Sequence, residues 1–219
     1  MPESRLLPFI LTIPGFLLAI SVHEYAHARM AYALGDDTAD RVGRMTLEPW
    51  AHIDPIGALM LIFLGFGWAR PVPVDPFRLR SPRRDMAKVA FAGPFANLVV
   101  AFFLQVVTIL IFSFVRLRGT YWVYLPEILD TAAGVNASLA FFNLIPIPPL
   151  DGWRILELYI PNSAYAVSEF LERYGFVILL FLVIFRIVSF IIGPLVAGYM
   201  NLCRLAGLYL SFLFKPLPY

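Results

Sequence analysis

The chain has 219 residues, of which 60% are hydrophobic and only 15% are charged, against about 25% charged residues in an average soluble domain. This composition argues against a soluble globular protein, and a net charge of +2 gives no basis for a nucleic-acid partner, so we expect none. Cys203 is the only cysteine, which excludes an internal disulfide and a thiolate metal cluster.

Six apolar runs follow one another along the chain and predict an all-α, polytopic membrane protein. They cover residues 6–34, 56–67, 86–115, 125–145, 175–192 and 195–214. At a rise of about 1.5 Å per residue, five of them can form membrane helices, whereas the 56–67 run is short enough to be a re-entrant segment. We therefore expect a helical bundle of about five to six membrane segments in a single domain over residues 1–219.

Prolines and glycines separate these runs. Three prolines between residues 68 and 76 remove backbone donors and disfavour helix, so this stretch is predicted to be extended. Gly193-Pro194 lies between the last two runs and predicts the tight turn of a C-terminal helical hairpin over about 174–214.

Basic residues are densest in the stretch 70–88, which holds six Lys or Arg residues. Because short cytoplasmic loops are enriched in Lys and Arg, this stretch is predicted to face the cytoplasm. If the 56–67 run only dips into the membrane, the first run crosses from outside to inside. If the 56–67 run crosses fully, the N-terminus lies inside instead.

The first run contains His23-Glu24-Tyr25-Ala26-His27, an HExxH pattern. Positions i and i+4 of a helix share one face, so the two imidazoles could bind one Zn²⁺ ion. Glu24 could then act as general base on a zinc-activated water. Ionisable groups are costly in an apolar run, which favours a function over the alternative of two histidines snorkelling at a helix end.

A catalytic zinc needs a third protein ligand and one open position. Asp151 is the best remaining candidate, because it follows the proline-broken end of the 125–145 run and precedes Gly152, which permits close backbone approach. With a re-entrant 56–67 segment, the histidines and Asp151 fall at a similar depth in the membrane. The alternative is that Asp151 caps a helix over 152–160.

Three separated motifs resemble the site-2 protease family of intramembrane zinc metalloproteases, in the short form without a PDZ domain. They are the HExxH pattern, Phe91-Ala92-Gly93-Pro94-Phe95-Ala96-Asn97, and Phe142-Asn143-Leu144-Ile145-Pro146 through Leu150-Asp151-Gly152, and they cover roughly residues 15–155 in the family's order. The resemblance implies one zinc ion held by the two histidines and Asp151, with Glu24 as general base. It also implies that Asn97 and Asn143 line the substrate cleft, although the residues alone leave interhelical hydrogen bonding equally open.

His52 is the third and last histidine, in Pro49-Trp50-Ala51-His52-Ile53-Asp54-Pro55. Two interpretations stand side by side. His52 could approach the zinc site as a substrate-binding or gating group, or it could be an interfacial histidine packed beside Trp50.

These observations predict a zinc endopeptidase with its catalytic core over about residues 6–160. We expect it to act in regulated intramembrane proteolysis, on membrane-spanning or membrane-adjacent proteins, in a prokaryotic cell membrane with the active site toward the cytoplasm. The extended stretch 68–76 could offer an edge to a strand-like substrate. A transporter would show several intramembrane carboxylates and pseudo-repeated halves, and the sequence shows neither. A catalytically silent scaffold is disfavoured because the three ligand candidates and the base are all present.

Overall fold

The computed structural model describes residues 3–64, 67–114 and 124–214. Within these ranges every regular element is helical, and strand-like pairing is limited to an isolated antiparallel bridge between Ile53 and Ala69. The predicted all-α class is therefore confirmed, while the number of membrane segments stays a prediction. Residues 65–66 of the predicted re-entrant segment lie outside the described residues.

The α-helices of the described residues are, in chain order, α1 (Glu3–Ala33), α2 (Thr38–Arg41), α3 (Pro55–Leu64), α4 (Pro82–Phe114), α5 (Leu125–Asn143), α6 (Asp151–Glu157), α7 (Tyr165–Ile184) and α8 (Ile187–Leu213). Single 3-10 turns occupy Pro49–Ala51, Pro76–Arg78 and Asn162–Ala164. Helices α4 and α8 are long and apolar enough to cross a bilayer. Helix α3 has 10 residues and spans only about 15 Å, half of a hydrocarbon core.

The predicted hairpin turn at Gly193-Pro194 is wrong. Both residues lie inside α8, and the chain leaves the helical path instead at Phe185-Arg186, where Arg186 has a φ of 58°. A proline removes only one backbone donor, and membrane helices tolerate that loss. Pro94, inside α4, is a second example.

The helices form two compact units, of which the first comprises Met1–Ala19, Asn97–Phe141 and Ser189–Tyr219. Its core gathers the small side chains of Ala101, Ala133 and Ala137 around Met200. Small residues let membrane helices approach closely, and Tyr199 adds a 2.6 Å hydrogen bond from its hydroxyl to the carbonyl of Leu98. The expectation of a single domain stays a prediction.

The second unit comprises Ile20–Ala96 and Phe142–Val188, and it contains all the candidate metal ligands. Its proline-rich stretch is not helical before the turn at Pro76, as predicted. Side chains hold this backbone. Nη2 of Arg44 donates to the carbonyls of Arg70 (2.8 Å) and Pro71 (3.3 Å), and Asp36 accepts from the N–H of Asp75 (2.7 Å). These side-chain contacts hold the extended stretch in addition to the isolated bridge between Ile53 and Ala69.

Candidate active site

Two histidines stand one turn apart on α1. The rings of His23 and His27 meet edge to face with their centroids 4.5 Å apart, as expected for positions i and i+4 of a helix. Both side chains are buried, and burying two imidazoles is costly unless partners compensate for the lost water. The helix therefore presents two ring nitrogens that need a partner.

Asp151 brings a carboxylate to the same point. It is the first residue of α6, and Leu150 rather than Asp151 occupies the N-cap position. Oδ2 of Asp151 lies 3.1 Å from Nε2 of His23 and 3.3 Å from Nε2 of His27, and the three ligand atoms all lie within 4.8 Å of one another. Two ligands at about 2.0–2.1 Å from a tetrahedral zinc lie about 3.3 Å apart, so these three residues could hold one zinc ion.

The surroundings of the imidazoles determine which nitrogen faces Asp151. Nδ1 of His27 lies 2.7 Å from the carbonyl oxygen of Val89. A carbonyl accepts only from an N–H, so Nδ1 carries the proton and Nε2 keeps its lone pair for a metal. Nδ1 of His23 is buried and has no hydrogen-bond partner among the described residues. Helix α4, which carries Val89, thus orients one of the two rings.

Two glycines allow the close contacts around these groups. A Cβ atom at Gly93 would lie 2.5 Å from Nε2 of His27 and 2.8 Å from Cε1 of His23. A Cβ atom at Gly152 would lie 2.3 Å from the carbonyl oxygen of Leu144. All three distances are shorter than real Cβ contacts, so glycine is required where α4 meets the imidazoles and where α6 meets the residue that follows α5.

Glu24 is held by the extended stretch of the second unit. Its Oε2 accepts a 2.8 Å hydrogen bond from the N–H of Val72, and both residues are buried. The charge of this carboxylate also acts on Arg44. Burial, followed by the charge of Arg70, lowers the pKa of the Arg44 guanidinium, and the charge of Glu24 opposes that shift. One oxygen of Glu24 is therefore fixed, directly beside His23 in the chain.

His52 lies in the same unit and is fully buried. Its Nε2 lies 2.9 Å from the carbonyl oxygen of Thr46, and its own carbonyl accepts a 2.8 Å hydrogen bond from the N–H of Arg70. Trp50 is 76% exposed, so it contributes little to the burial of His52. The histidine joins the loop before α3 to the start of the extended stretch, and substrate binding by His52 stays a prediction.

The two predicted asparagines have different surroundings. Asn97 is fully buried in the first unit, where its Nδ2 donates a 3.2 Å hydrogen bond to the carbonyl of Ala19. Its Oδ1 is buried without a partner in the described part of the chain. Asn143 is the last residue of α5 and is partly buried. The Nδ2 group of Asn97 thus makes a hydrogen bond within the protein. Substrate contact by either asparagine stays a prediction.

Sequence reasoning missed the backbone groups of the site. The carbonyl of Val89 and the N–H of Val72 bind His27 and Glu24, yet every residue type carries such groups, so no residue pattern could reveal them. The one usable signal was the proline spacing around Val72, which predicted an extended backbone without identifying its partner.

Comparison with known proteins finds relatives along nearly the whole chain. The family model described as Peptidase family M50 matches residues 120–185, a range that includes Asp151. "Putative zinc metalloprotease YwhC" of Bacillus subtilis (strain 168) is 35% identical over 214 residues, which cover 97% of this chain and 95% of that protein. "Putative zinc metalloprotease Rip2" of Mycobacterium tuberculosis (strain Erdman) is 30% identical over 205 residues, which cover 87% of this chain and 70% of that protein. No solved structure matches the chain.

These relatives agree with what the residues and their geometry indicate. The match to the Bacillus protein covers 97% of this chain. The uncovered 3% is too short to reach His23 from the N-terminus, so the match includes the HExxH motif as well as Asp151. The two long apolar helices, α4 and α8, agree with a membrane location. The chain therefore belongs to peptidase family M50, the site-2 protease family of zinc metalloproteases.

Proposed function

We propose that this protein is an intramembrane zinc metalloendopeptidase that cleaves proteins spanning the membrane or lying beside it. One zinc ion per chain is bound by His23, His27 and Asp151, with Glu24 as general base. The observation that carries this proposal is the approach of one carboxylate oxygen to two imidazole nitrogens, at 3.1 and 3.3 Å. Three protein ligands of this kind suit zinc and leave a fourth position for the reaction.

The chemistry divides between the metal and the protein. When bound, zinc supplies a Lewis acid that activates water and polarises the peptide carbonyl. The N–H of Val72 holds Oε2 of Glu24, and the Glu24 carboxylate would take a proton from water and return it to the leaving amine. The bond from His27 to Val89 keeps Nε2 of that imidazole directed toward the site.

A membrane-spanning substrate must change conformation before it can be cut. An α-helix hides its carbonyls in hydrogen bonds from residue i to residue i−4, so the substrate has to unwind near the cleaved bond. The extended stretch beside Glu24 offers backbone groups to such an unwound peptide, in the way that an exposed strand edge binds a peptide.

In this proposal the protein crosses the membrane several times. Helices α1, α4, α5, α7 and α8 have 31, 33, 19, 20 and 27 residues, and about 20 residues suffice for a crossing. The basic stretch 70–88 then faces the cytoplasm, and the active site lies toward that side. The Bacillus and Mycobacterium relatives support a prokaryotic source.

Zinc content and proteolysis, measured on the same purified protein, test the proposal. We expect one zinc ion per chain and cleavage of a membrane-anchored peptide reporter. Glu24→Gln should retain zinc, while the cleavage rate falls about 10²- to 10⁴-fold, because that is the usual contribution of a general base. Asp151→Asn should bind zinc more weakly.

A surface carboxylate provides the matched control. Glu169 on α7 pairs with Arg173 in an exposed contact, so Glu169→Gln should cleave like the wild type. A wild-type chain without zinc, or normal cleavage by Glu24→Gln, would contradict the proposal. Zinc-dependent ion flux without cleavage would instead support a transporter.

A further inference from the structure

Helix α6 presents Asp151 to the imidazoles, yet it is a short element. It has 7 residues, and Asp151 is its first. The last four carbonyl groups of a helix have no partner inside it, and helices well under 12 residues are not stable alone. The position of Asp151 therefore depends on the contacts that hold α6 in place.

Arg83, in the first turn of α4, binds the C-terminal end of α6. Its Nε lies 3.2 Å and its Nη2 lies 2.5 Å from the carbonyl oxygen of Glu157. Nη2 also donates to the carbonyl of Ile160, in the turn that follows. A planar guanidinium suits paired acceptors, and a cation is favourable at the carbonyl end of a helix. One side chain thus ties α6 and its following turn to α4.

The same helix holds the histidines. The carbonyl of Val89 binds Nδ1 of His27 at 2.7 Å, and Gly93 packs against both imidazole rings. Arg83, Val89 and Gly93 lie along about 15 Å of one helix, at about 1.5 Å per residue. Helix α4 therefore contacts both α1, which carries the histidines, and α6, which carries Asp151.

We propose that Arg83 is a positioning residue of the metal site, which fixes Asp151 relative to the two imidazoles by tying α6 to α4. The inference rests on the proposed function, because it takes Asp151 as a zinc ligand. Apart from the approach of Asp151 to the imidazoles, the other ion pairs of α6 among the described residues are those of Arg154 with Glu157 (3.0 Å) and Glu172 (3.9 Å). The contacts of Arg83 are exposed too, but they join two helices through main-chain carbonyls, whereas the pair of Arg154 with Glu157 lies within α6 and exposed ion pairs contribute little to stability. Without Arg83 the carboxylate samples more positions, and zinc affinity falls although every ligand is present.

The zinc affinity of the full-length purified chain, measured by competition with a chelator of known affinity, tests this inference. Arg83→Gln removes the positive charge and the forked N–H donors of the guanidinium. We expect zinc affinity to fall about tenfold, which is the low end of the effect of residues that support metal ligands. Arg83→Lys keeps the positive charge without the forked donors, so its zinc affinity should lie between those of Arg83→Gln and the wild type.

The neighbouring residue is the matched control. Arg84 is exposed, and its side chain has no hydrogen-bond partner in the described ranges. Arg84→Gln removes the same charge from the same turn, so it should bind zinc like the wild type. Measuring affinity at a temperature where all variants are folded separates positioning from stability, since a merely stabilising contact would not change the affinity of the folded protein.

Each result decides the inference. Wild-type affinity in Arg83→Gln, or an equal loss in Arg84→Gln, would overturn it. If Arg83→Gln does not fold, Arg83→Lys decides, and unchanged affinity in that variant overturns the inference. A wild-type chain that binds no zinc refutes the proposed function instead, so the two failures are distinguishable.

Discussion

The N–H of Val72 donates a 2.8 Å hydrogen bond to Oε2 of Glu24, and this bond joins residues 48 positions apart in the chain. Pro71 and Pro73 flank Val72, and proline has no N–H. Val72 therefore carries the only N–H of these three residues. The hypothesis that the stretch 68–76 offers an edge to a substrate stays a prediction, and within that stretch the Val72 donor is already bound to the proposed base.

Val74 carries the next N–H along this stretch, and it has no hydrogen-bond partner among the described residues. In an extended chain, alternate residues direct their backbone groups to the same side, so Val74 shares the side on which Val72 meets Glu24. If an unwound substrate pairs here, Val74→Pro removes one hydrogen bond of about 0.5–1.5 kcal/mol. We expect kcat/KM for a membrane-anchored reporter to fall about 2- to 12-fold.

Two further variants at this edge separate side-chain effects from backbone effects. Val74→Ala keeps the N–H, so cleavage should fall much less than in Val74→Pro. Val72→Pro should be the most damaging, because it also releases Glu24. Normal reporter cleavage by Val74→Pro would rule out substrate pairing at this edge.

Gly93→Ala should weaken zinc binding. The added methyl group would lie 2.5 Å from Nε2 of His27, so either the ring or α4 must shift, at a typical overpacking cost of about 1–3 kcal/mol. Chelator competition measures the loss. Gly134→Ala is the control, because a Cβ atom there has no neighbour within 4 Å, and its zinc affinity should match the wild type. Tight zinc binding by Gly93→Ala would show that the close approach of α4 is not required.

Gly152→Ala should lower both the stability of the protein and its zinc affinity. A Cβ atom would lie 2.3 Å from the carbonyl oxygen of Leu144 and 2.6 Å from that of Ile145. These are backbone atoms that cannot rotate aside, so α6 and its Asp151 must move, at about 1–3 kcal/mol. Thermal unfolding in detergent and chelator competition measure the two effects. Gly198→Ala, inside α8, has open space around its Cβ and should lower neither, since alanine favours a helix over glycine. A parallel loss in the two variants would contradict this account.

Asp36→Asn should destabilise the extended stretch. The buried carboxylate of Asp36 accepts hydrogen bonds from the backbone N–H and the hydroxyl of Thr38 through Oδ1 and from the N–H of Asp75 through Oδ2. An amide nitrogen cannot accept, so at least one partly buried donor loses its partner, at about 1–3 kcal/mol. We expect a lower unfolding midpoint and slower reporter cleavage. Asp40→Asn, at an exposed position, should change neither, and normal stability in Asp36→Asn would show that this anchor is dispensable.

Much of the candidate site was predictable because its signals are local. Two histidines four residues apart in an apolar run share a helix face whatever the rest of the chain does. The prolines between 68 and 76 prevent helix through their own rings, independently of tertiary contacts. The choice of Asp151 as third ligand needed only a carboxylate at the end of an apolar run.

Predictions that depended on neighbouring helices were less secure. Gly193-Pro194 reads as a turn in an isolated chain, but both residues lie inside α8. A proline ends a helix only if the surroundings do not compensate for one missing donor, and neighbouring groups are not visible in a linear pattern. The break at Arg186 had no comparable signal in the sequence.

By itself, then, the amino-acid order determined the helical class, the residue types of the candidate metal site and the extended character of one stretch, since each follows from side-chain chemistry or local backbone geometry. The tertiary structure alone decided that Val72 holds Glu24, that Val89 orients His27 and that Arg83 binds the end of α6. The acceptor or donor in each of these bonds is a main-chain group that every residue type carries, so only the path of the folded chain selects it.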